Sequence, residues 1–312
     1  MKSAYLIIAH NEYTLLGILV NLLDDSNNDI YIHIDRDVEE PNKEELHKNA
    51  QKSNLYFVKN RISVFWGGEG LLYAEFELLR EAKSKRKYEY YHLLSGADLP
   101  IKTNHDINMF FENNMYNNKD GIKKTNYLVA RKCKNKIMRS HVSQYNFFIK
   151  YWKRETNAIV RNLFKALNRL GVYVQWCMGI DRFKPIKMDV YQGDTWWSIT
   201  DELSDYLIDM EDRIKTIFNG RMFGADEYAI QTFVANSEFR NTLFDSGVTD
   251  KELRPCLREL DFFRGNGCGS PHVYTNEDYE LLINSRCLYA RKFNYSLYPE
   301  IVQAIYDYIC SR

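Results

Sequence analysis

The chain has no net charge: 42 Lys and Arg offset 42 Asp and Glu over 312 residues. A chain without a basic excess is not built as a nucleic-acid binder. No run approaches the ~18 apolar residues that a membrane-spanning helix needs. The opening "MKSAYLIIAHNE" has too short an apolar stretch for a secretory signal. None of the six cysteines (Cys133, Cys177, Cys256, Cys268, Cys287 and Cys310) forms a C-x-x-C pair, so zinc spacing is absent. Reduced thiols and a cytoplasmic location are the expectation. There is no G-x-G-x-x-G after the first apolar run and no G-x-x-x-x-G-K-[ST], which sets aside a dinucleotide oxidoreductase and a P-loop enzyme. There is also no internal repeat and no low-complexity linker, so residues 1–312 read as one domain of two interleaved halves, 1–120 and 121–312.

A further absence is local. "YYHLLSGADLPIKTN" (90–104) ends an aromatic, apolar run at a small-residue turn and supplies one acid, Asp98, with no second. Many α/β enzymes that use sugar nucleotides place a metal-binding Asp-x-Asp at such a point.

What is present is apolar, aromatic and alternating. Hydrophobic residues make up 45% of the chain and aromatics 14%, enough for a sizeable core and, with 23 Tyr, for ring-lined walls that suit sugars. Apolar runs at 4–10, 29–37, 54–58 and 88–94 read as strands. Segments at 12–25, 42–53 and 69–85 have helical spacing. This β-α-β-α-β-α-β order predicts an α/β fold with a mostly parallel sheet and helices on both faces. Ligands of such sheets lie beyond the carboxyl ends of the strands, which directs attention to His10-Asn11-Glu12, Asp35-Arg36-Asp37, Phe65-Trp66-Gly67-Gly68 and Gly96-Ala97-Asp98. Farther on, helices are expected at 157–171, 201–214 and 225–237, and a strand at 193–200. Charge is uneven: residues 121–187 hold 16 Lys and Arg against Glu155 and Asp181, while 188–312 hold 12 against 21 acids.

Several constellations carry candidate chemistry. "IDRD" (34–37) is formally an Asp-x-Asp, but an acid after an early strand more often bonds a nucleotide's base or ribose, which favours Asp35 as a nucleotide contact over a surface turn. "VFWGGEG" (64–70) either brings backbone and Trp66 close to a ligand at a helix start or forms a tight turn over a core Trp. In "GDTWWSIT" (193–200), Trp196 and Trp197 point to opposite faces of a strand; one can be core while the other forms a sugar-stacking wall. Asp226-Glu227 in "FGADEYAIQT" either caps a helix or supplies a general base. Arg291-Lys292 in "RCLYARKFN" either neutralises a diphosphate or is a solvated basic turn.

In this order "AYLIIAHNE", "IHID", "VFWGGEGLLYAEFELLREA", "YYHLLSGADLPIK", "GDTWWSIT", "ADEYAIQT", "RELDFFRG" and "LYARKF" resemble the core-2/I-branching enzymes, which include β-1,6-N-acetylglucosaminyltransferases and peptide-O-xylosyltransferases. "LLSGADLPIK" and "WGG" lean toward the xylosyltransferase-like and bacterial branch. The resemblance implies a GT-A glycosyltransferase that inverts configuration and uses a UDP-sugar without a divalent metal or other cofactor. It assigns the general base to Glu227 and a diphosphate contact to Lys292. His10, Asn11 and Asp35 fall in the nucleotide pocket, with Trp66, Asp98 and Arg291 added to the donor side and Trp196, Trp197 and Asp226 to the acceptor side. The motif before Glu227 lacks the family's Pro. Tyr274 stands where a second cation is expected, which Arg264, Arg286 or Arg291 could replace. Expected partners are a UDP-sugar (GlcNAc or xylose) and a glycan or lipid-linked oligosaccharide acceptor in surface-polysaccharide or glycoconjugate synthesis. The basic segment 121–187 is either a peripheral contact to anionic lipid or a solvated face. A non-catalytic nucleotide-sugar or glycan-binding member is the alternative.

Overall fold

The computed structural model describes residues 1–65, 67–113, 115–118, 121–149, 151, 157–219, 221–244, 253–265 and 269–312; side chains are not described at 115–118 and 121–123. The first hundred residues follow the expected alternation. They form β1 (Ser3–Ala9), α1 (Tyr13–Leu22), β2 (Asn28–Ile34), α2 (Lys43–Lys48), β3 (Asn54–Phe57), α3 (Gly70–Lys85) and β4 (Tyr90–Ser95). All residues of β1, β2 and β4 are buried. That is what a near-continuous apolar run gives when both faces of a parallel sheet are covered.

The chain continues through β5 (Asp98–Pro100), α4 (Asn104–Asn113), β6 (Met115–Asn118), β7 (Gly121–Lys124), β8 (Arg131–Lys132), α5 (Lys136–Ser143) and α6 (Ala158–Cys177). It then forms β9 (Tyr191–Gln192), β10 (Ser198–Thr200), α7 (Asp201–Asp209), α8 (Glu211–Ile217) and α9 (Ala229–Ala235), and closes with β11 (Arg258–Leu260), α10 (Tyr279–Asn284), β12 (Tyr289–Arg291) and α11 (Pro299–Cys310).

The main sheet has the order β10-β4-β1-β2-β3, parallel except for the edge strand β10. The two-residue period of β1 divides its side chains between two cores. Tyr5, Ile7 and Ala9 join α1 and α11, whereas Ala4, Leu6 and Ile8 join α3, Trp197 and α9. A second sheet, β11-β12-β5, sits beyond the end of β4. Strands from beyond residue 190 thus pair with β4 and β5, so the two halves of the sequence share both sheets.

Several boundaries differ from expectation: the helix expected at 42–53 ends at Lys48 and the one expected at 157–171 runs to Cys177. Residues 193–197 are not strand, and Gly193 packs against the 129 backbone, where a Cβ would come within 1.7 Å of the Val129 carbonyl oxygen. The helix expected at 201–214 breaks at Met210 into α7 and α8. Residues 225–227 form a 3-10 turn ahead of α9.

Candidate active site at the strand ends

His10 and Asn11 follow β1 and are exposed. Desolvation by its surroundings lowers the His10 pKa; the Asp35 carboxylate opposes this, and the charges of Lys292 and Arg291 reinforce it. Those three charged groups therefore share a neighbourhood with His10. Glu12 takes a left-handed backbone (φ 53°), and its carboxylate accepts from the Ser296 backbone N–H at 3.1 Å and its hydroxyl at 2.8 Å. This ties the loop after β12 to the end of β1. Asp35 is buried, and its Oδ1 accepts from the backbone N–H groups of Asp37 (3.0 Å) and Val64 (3.2 Å). It fixes the loops after β2 and β3 relative to each other. Nearby, the His33 Nε2 accepts from the Ile62 N–H at 2.8 Å, and burial holds the imidazole pKa at about 4.

Asp98, whose lack of a second acid was the puzzle of its segment, is fully buried. One oxygen accepts from the Ser95 N–H at 2.9 Å; the other accepts from the Ser95 hydroxyl at 2.9 Å and the Arg291 guanidinium at 2.7 Å. It closes the turn after β4 and anchors the end of β12, so its carboxylate organises the site rather than facing it. Arg291 also places its guanidinium 4.5 Å over the ring of Trp196. Lys292, half-buried beside it, has its pKa lowered by burial and by the Arg291 charge, with Asp98 and Glu12 acting in the opposite sense.

The chain of contacts leads from Trp196 to the acids. Thr195 donates its hydroxyl to Asp226 at 2.7 Å, the Gly193 N–H donates to the Glu227 carbonyl at 3.0 Å, and Gln231 donates to the Asp194 carbonyl at 2.9 Å. Asp226 is buried and its pKa is raised by that burial. Glu227 is raised to about 7, first by desolvation and then by the Asp226 charge, while a 3.4 Å hydrogen bond from Gln192 works against the shift. Gly224 (φ 68°) starts the turn that presents Glu227, and its N–H bonds the Gly67 carbonyl at 2.9 Å. The paired-glycine loop and the Glu227 turn are therefore neighbours. Beside them a cavity of about 650 Å³ is lined by residues that include Arg36, Asp37, Ser63, Tyr73, Phe147 and Arg221, a size in the range of small-molecule sites.

The structure thus gathers His10, Asp35, Asp98, Arg291 and Lys292 at the strand ends and links Trp196, Asp226 and Glu227 to them. Trp197 is elsewhere: it is fully buried and its Nε1 donates to Glu75 at 3.3 Å, so it belongs to the core. Asp226 is likewise turned inward, toward Thr195. Trp66 lies outside the described residues. Of the substitutes for a second cation, Arg264 is bound to Asp261 (2.6 Å) and Asp278 (2.7 Å) and Arg291 to Asp98, while Tyr274 is buried.

Two supporting residues escaped the sequence reading. Glu75 lies on the apolar face of α3, fully buried, with its pKa raised by burial and by Asp226. The signal was an acid at a core position in "LLYAEFELL". Arg258 is also fully buried and donates to the backbone carbonyls of Leu93 and Trp197 (both 2.8 Å) and to the Ser198 hydroxyl (2.9 Å). It clamps β4 to the segment entering β10.

The chain is 23% identical over 313 residues to a xylosyltransferase of Ciona intestinalis, covering 97% of this chain and 33% of that protein. It is 20% identical over 318 residues to human xylosyltransferase 2, covering 98% and 33%. It therefore spans about a third of the length of the curated relatives it matches. Two solved structures are similar to the chain at a low level. Core-mannan synthase A of Aspergillus fumigatus, in a Mn/GDP form, has a TM-score of 0.31 and 12% identity over 77% of this chain and 70% of that one. Mouse xyloside xylosyltransferase 1, in an apo form, has a TM-score of 0.32 and 10% identity over 75% and 82%.

The Mn/GDP form of core-mannan synthase A stands against the expectation of metal independence, which is withdrawn. Among the described residues no three His, Cys, Asp or Glu side chains converge as a ready ligand set. Hard divalent ions are commonly held by one or two carboxylates together with substrate phosphates, and the acids that line the cavity are Asp37 and Glu69. The family model for the Core-2/I-branching enzymes matches residues 3–253, and the chain belongs to that family.

Proposed function

We propose that this protein is an inverting glycosyltransferase that moves a sugar, GlcNAc or xylose, from a UDP-sugar to a hydroxyl of a glycan or lipid-linked oligosaccharide, in surface-polysaccharide or glycoconjugate synthesis. The observation that carries the reading is Glu227. Its carboxyl group is raised to about 7 and follows Asp226, whose carboxylate accepts from Thr195; the next residue, Trp196, lies under the Arg291 guanidinium. A base poised near neutral pH suits abstraction of a hydroxyl proton.

In this reading, residues 1–120 hold most of the nucleotide and residues 121–312 the acceptor. His10, Asn11 and Asp35 border the nucleoside. The Glu227 carboxylate takes the proton of the acceptor hydroxyl as that oxygen bonds to the anomeric carbon from the face opposite the diphosphate. The bond from the anomeric carbon to the diphosphate oxygen breaks, and its electron pair leaves with UDP. Lys292 meets the charge that develops there, and Arg291, held by Asp98, adds to the field. Fixed charges aimed at developing charge are commonly the largest catalytic contribution. Trp196, with Arg291 over its ring, offers the edge of an apolar wall for a sugar ring. A divalent ion bound with the nucleotide would add charge neutralisation at the same phosphates.

The test is calorimetric titration of the protein with UDP, UDP-xylose and UDP-GlcNAc in Mn²⁺ buffer, followed by acceptor screening with the donor that binds. Saturable UDP binding and a product of inverted anomeric configuration are expected. Absence of binding by all three nucleotides refutes the reading, and binding without transfer to any acceptor supports the non-catalytic alternative.

A further inference from the structure

Helix α6 is turned the wrong way round for a surface helix. Asn157 caps its start, accepting from the Ile159 and Val160 N–H groups. At 3.6 residues per turn, Ile159, Leu163, Leu170, Tyr173, Val174 and Met178 fall in a sector of roughly 140°. All six are exposed, Ile159 at 81% and Met178 at 70%. The opposite sector faces the protein and is the more polar one. Val172 and Gln175 are buried there, Asn168 donates to the Asn146 side chain at 2.9 Å, and Phe164 stacks on Phe148 with centroids 6.0 Å apart. A surface helix normally shows its polar side to water, so a continuous apolar stripe of this length marks a face that something covers.

The charges beside the stripe say what. Arg169 falls along one edge of it, and Lys136 of α5 lies 4.7 Å over the ring of Trp176 on the same side. No Asp or Glu occurs in α5 or between residues 157 and 180. A second copy of this chain seated on the face would bring two cationic edges into one interface with no acid on either helix to pair them. An anionic lipid surface is complementary to both parts: its headgroups meet the cations while the leucine stripe enters the boundary with the acyl chains. No helix among the described residues is long and apolar enough to cross a membrane, so the contact is parallel to the surface.

We infer that α6 is an interfacial helix that seats this protein on a bilayer containing anionic lipid, with Ile159, Leu163, Leu170, Tyr173, Val174 and Met178 as the inserted face. The inference stands apart from the transfer chemistry, since none of these residues belongs to the proposed site.

The experiment is co-sedimentation of the full chain with vesicles of phosphatidylcholine alone and of phosphatidylcholine mixed with phosphatidylglycerol. Partition onto the mixed vesicles is expected, weaker on the neutral ones. Leu163→Ser with Leu170→Ser should lower it about ten-fold or more, because two exposed side chains lose their apolar insertion. Lys136→Gln with Arg169→Gln should lower it about ten-fold or more on the anionic vesicles only. Both positions face solvent, and an unchanged circular-dichroism melt confirms that the variants fold. Failure of the wild type to bind mixed vesicles overturns the inference, as does equal binding by the double Leu variant. A wild-type dimer in light scattering that the Leu variant dissolves, without vesicle binding, overturns it in favour of a second copy.

Discussion

Replacing Glu227 by Gln separates the role of a base from the role of a buried group. The side chain keeps its shape, and Gln resembles the protonated carboxyl that burial and Asp226 already favour. Turnover should fall ~10²–10⁴-fold, the usual contribution of a positioned base, while UDP affinity stays within a few-fold. Stability should move the other way. The folded pKa, about 7, stands above the unfolded value of 4.5, so the folded state binds the proton more tightly. The stability this group contributes is present below pH 4.5 and is lost as pH rises through 7. At one pKa unit per ~1.4 kcal/mol the full loss is of order 3 kcal/mol. Urea unfolding from pH 4.5 to 8.5 measures it. The wild type should lose this increment relative to Glu227→Gln across that window, and the variant should be the more stable protein at pH 8. In the same window wild-type turnover should rise with pH through about 7 as the carboxylate forms. Parallel stability curves for the two proteins, or near-full turnover by the variant, would refute the reasoning.

Lys292→Ala removes a half-buried cation from the proposed diphosphate contact, and UDP affinity should drop about 10- to 100-fold, in line with the loss of a hydrogen bond to a charged group; calorimetry reads it, and unchanged affinity would remove Lys292 from the site. Arg258→Ala removes the buried guanidinium that bonds the carbonyls of Leu93 and Trp197 and the Ser198 hydroxyl. Unfolding free energy should fall by about 3 kcal/mol or more, checked by urea denaturation. Trp197→Ala empties a core position and removes the Glu75 partner. A loss of about 3–5 kcal/mol is expected, with UDP affinity retained in whatever fraction remains folded.

Much of the fold was legible because its information is local. The runs at 4–10, 29–37, 54–58 and 88–94 hold β1 to β4, three of them buried on both faces and so largely apolar, and the intervening helices carry their own periodicity. The strand-end rule then singled out His10, Asp35 and Asp98 from sequence order alone. Arg291, Lys292 and Glu227 rested on family resemblance, because pairs of cations or acids in a chain are usually solvated turns or caps. What the sequence could not decide is which groups face one another. Asp98 has no second acid in its segment, and its partner is a cation 193 residues away. Of two adjacent tryptophans, one meets Arg291 and the other Glu75. Only the meeting of β12 with β5, and of the Gly193 loop with Val129, settles those roles. Periodicity along a chain encodes which face is buried, whereas the pairing of charges depends on distances that only the packed sheets set.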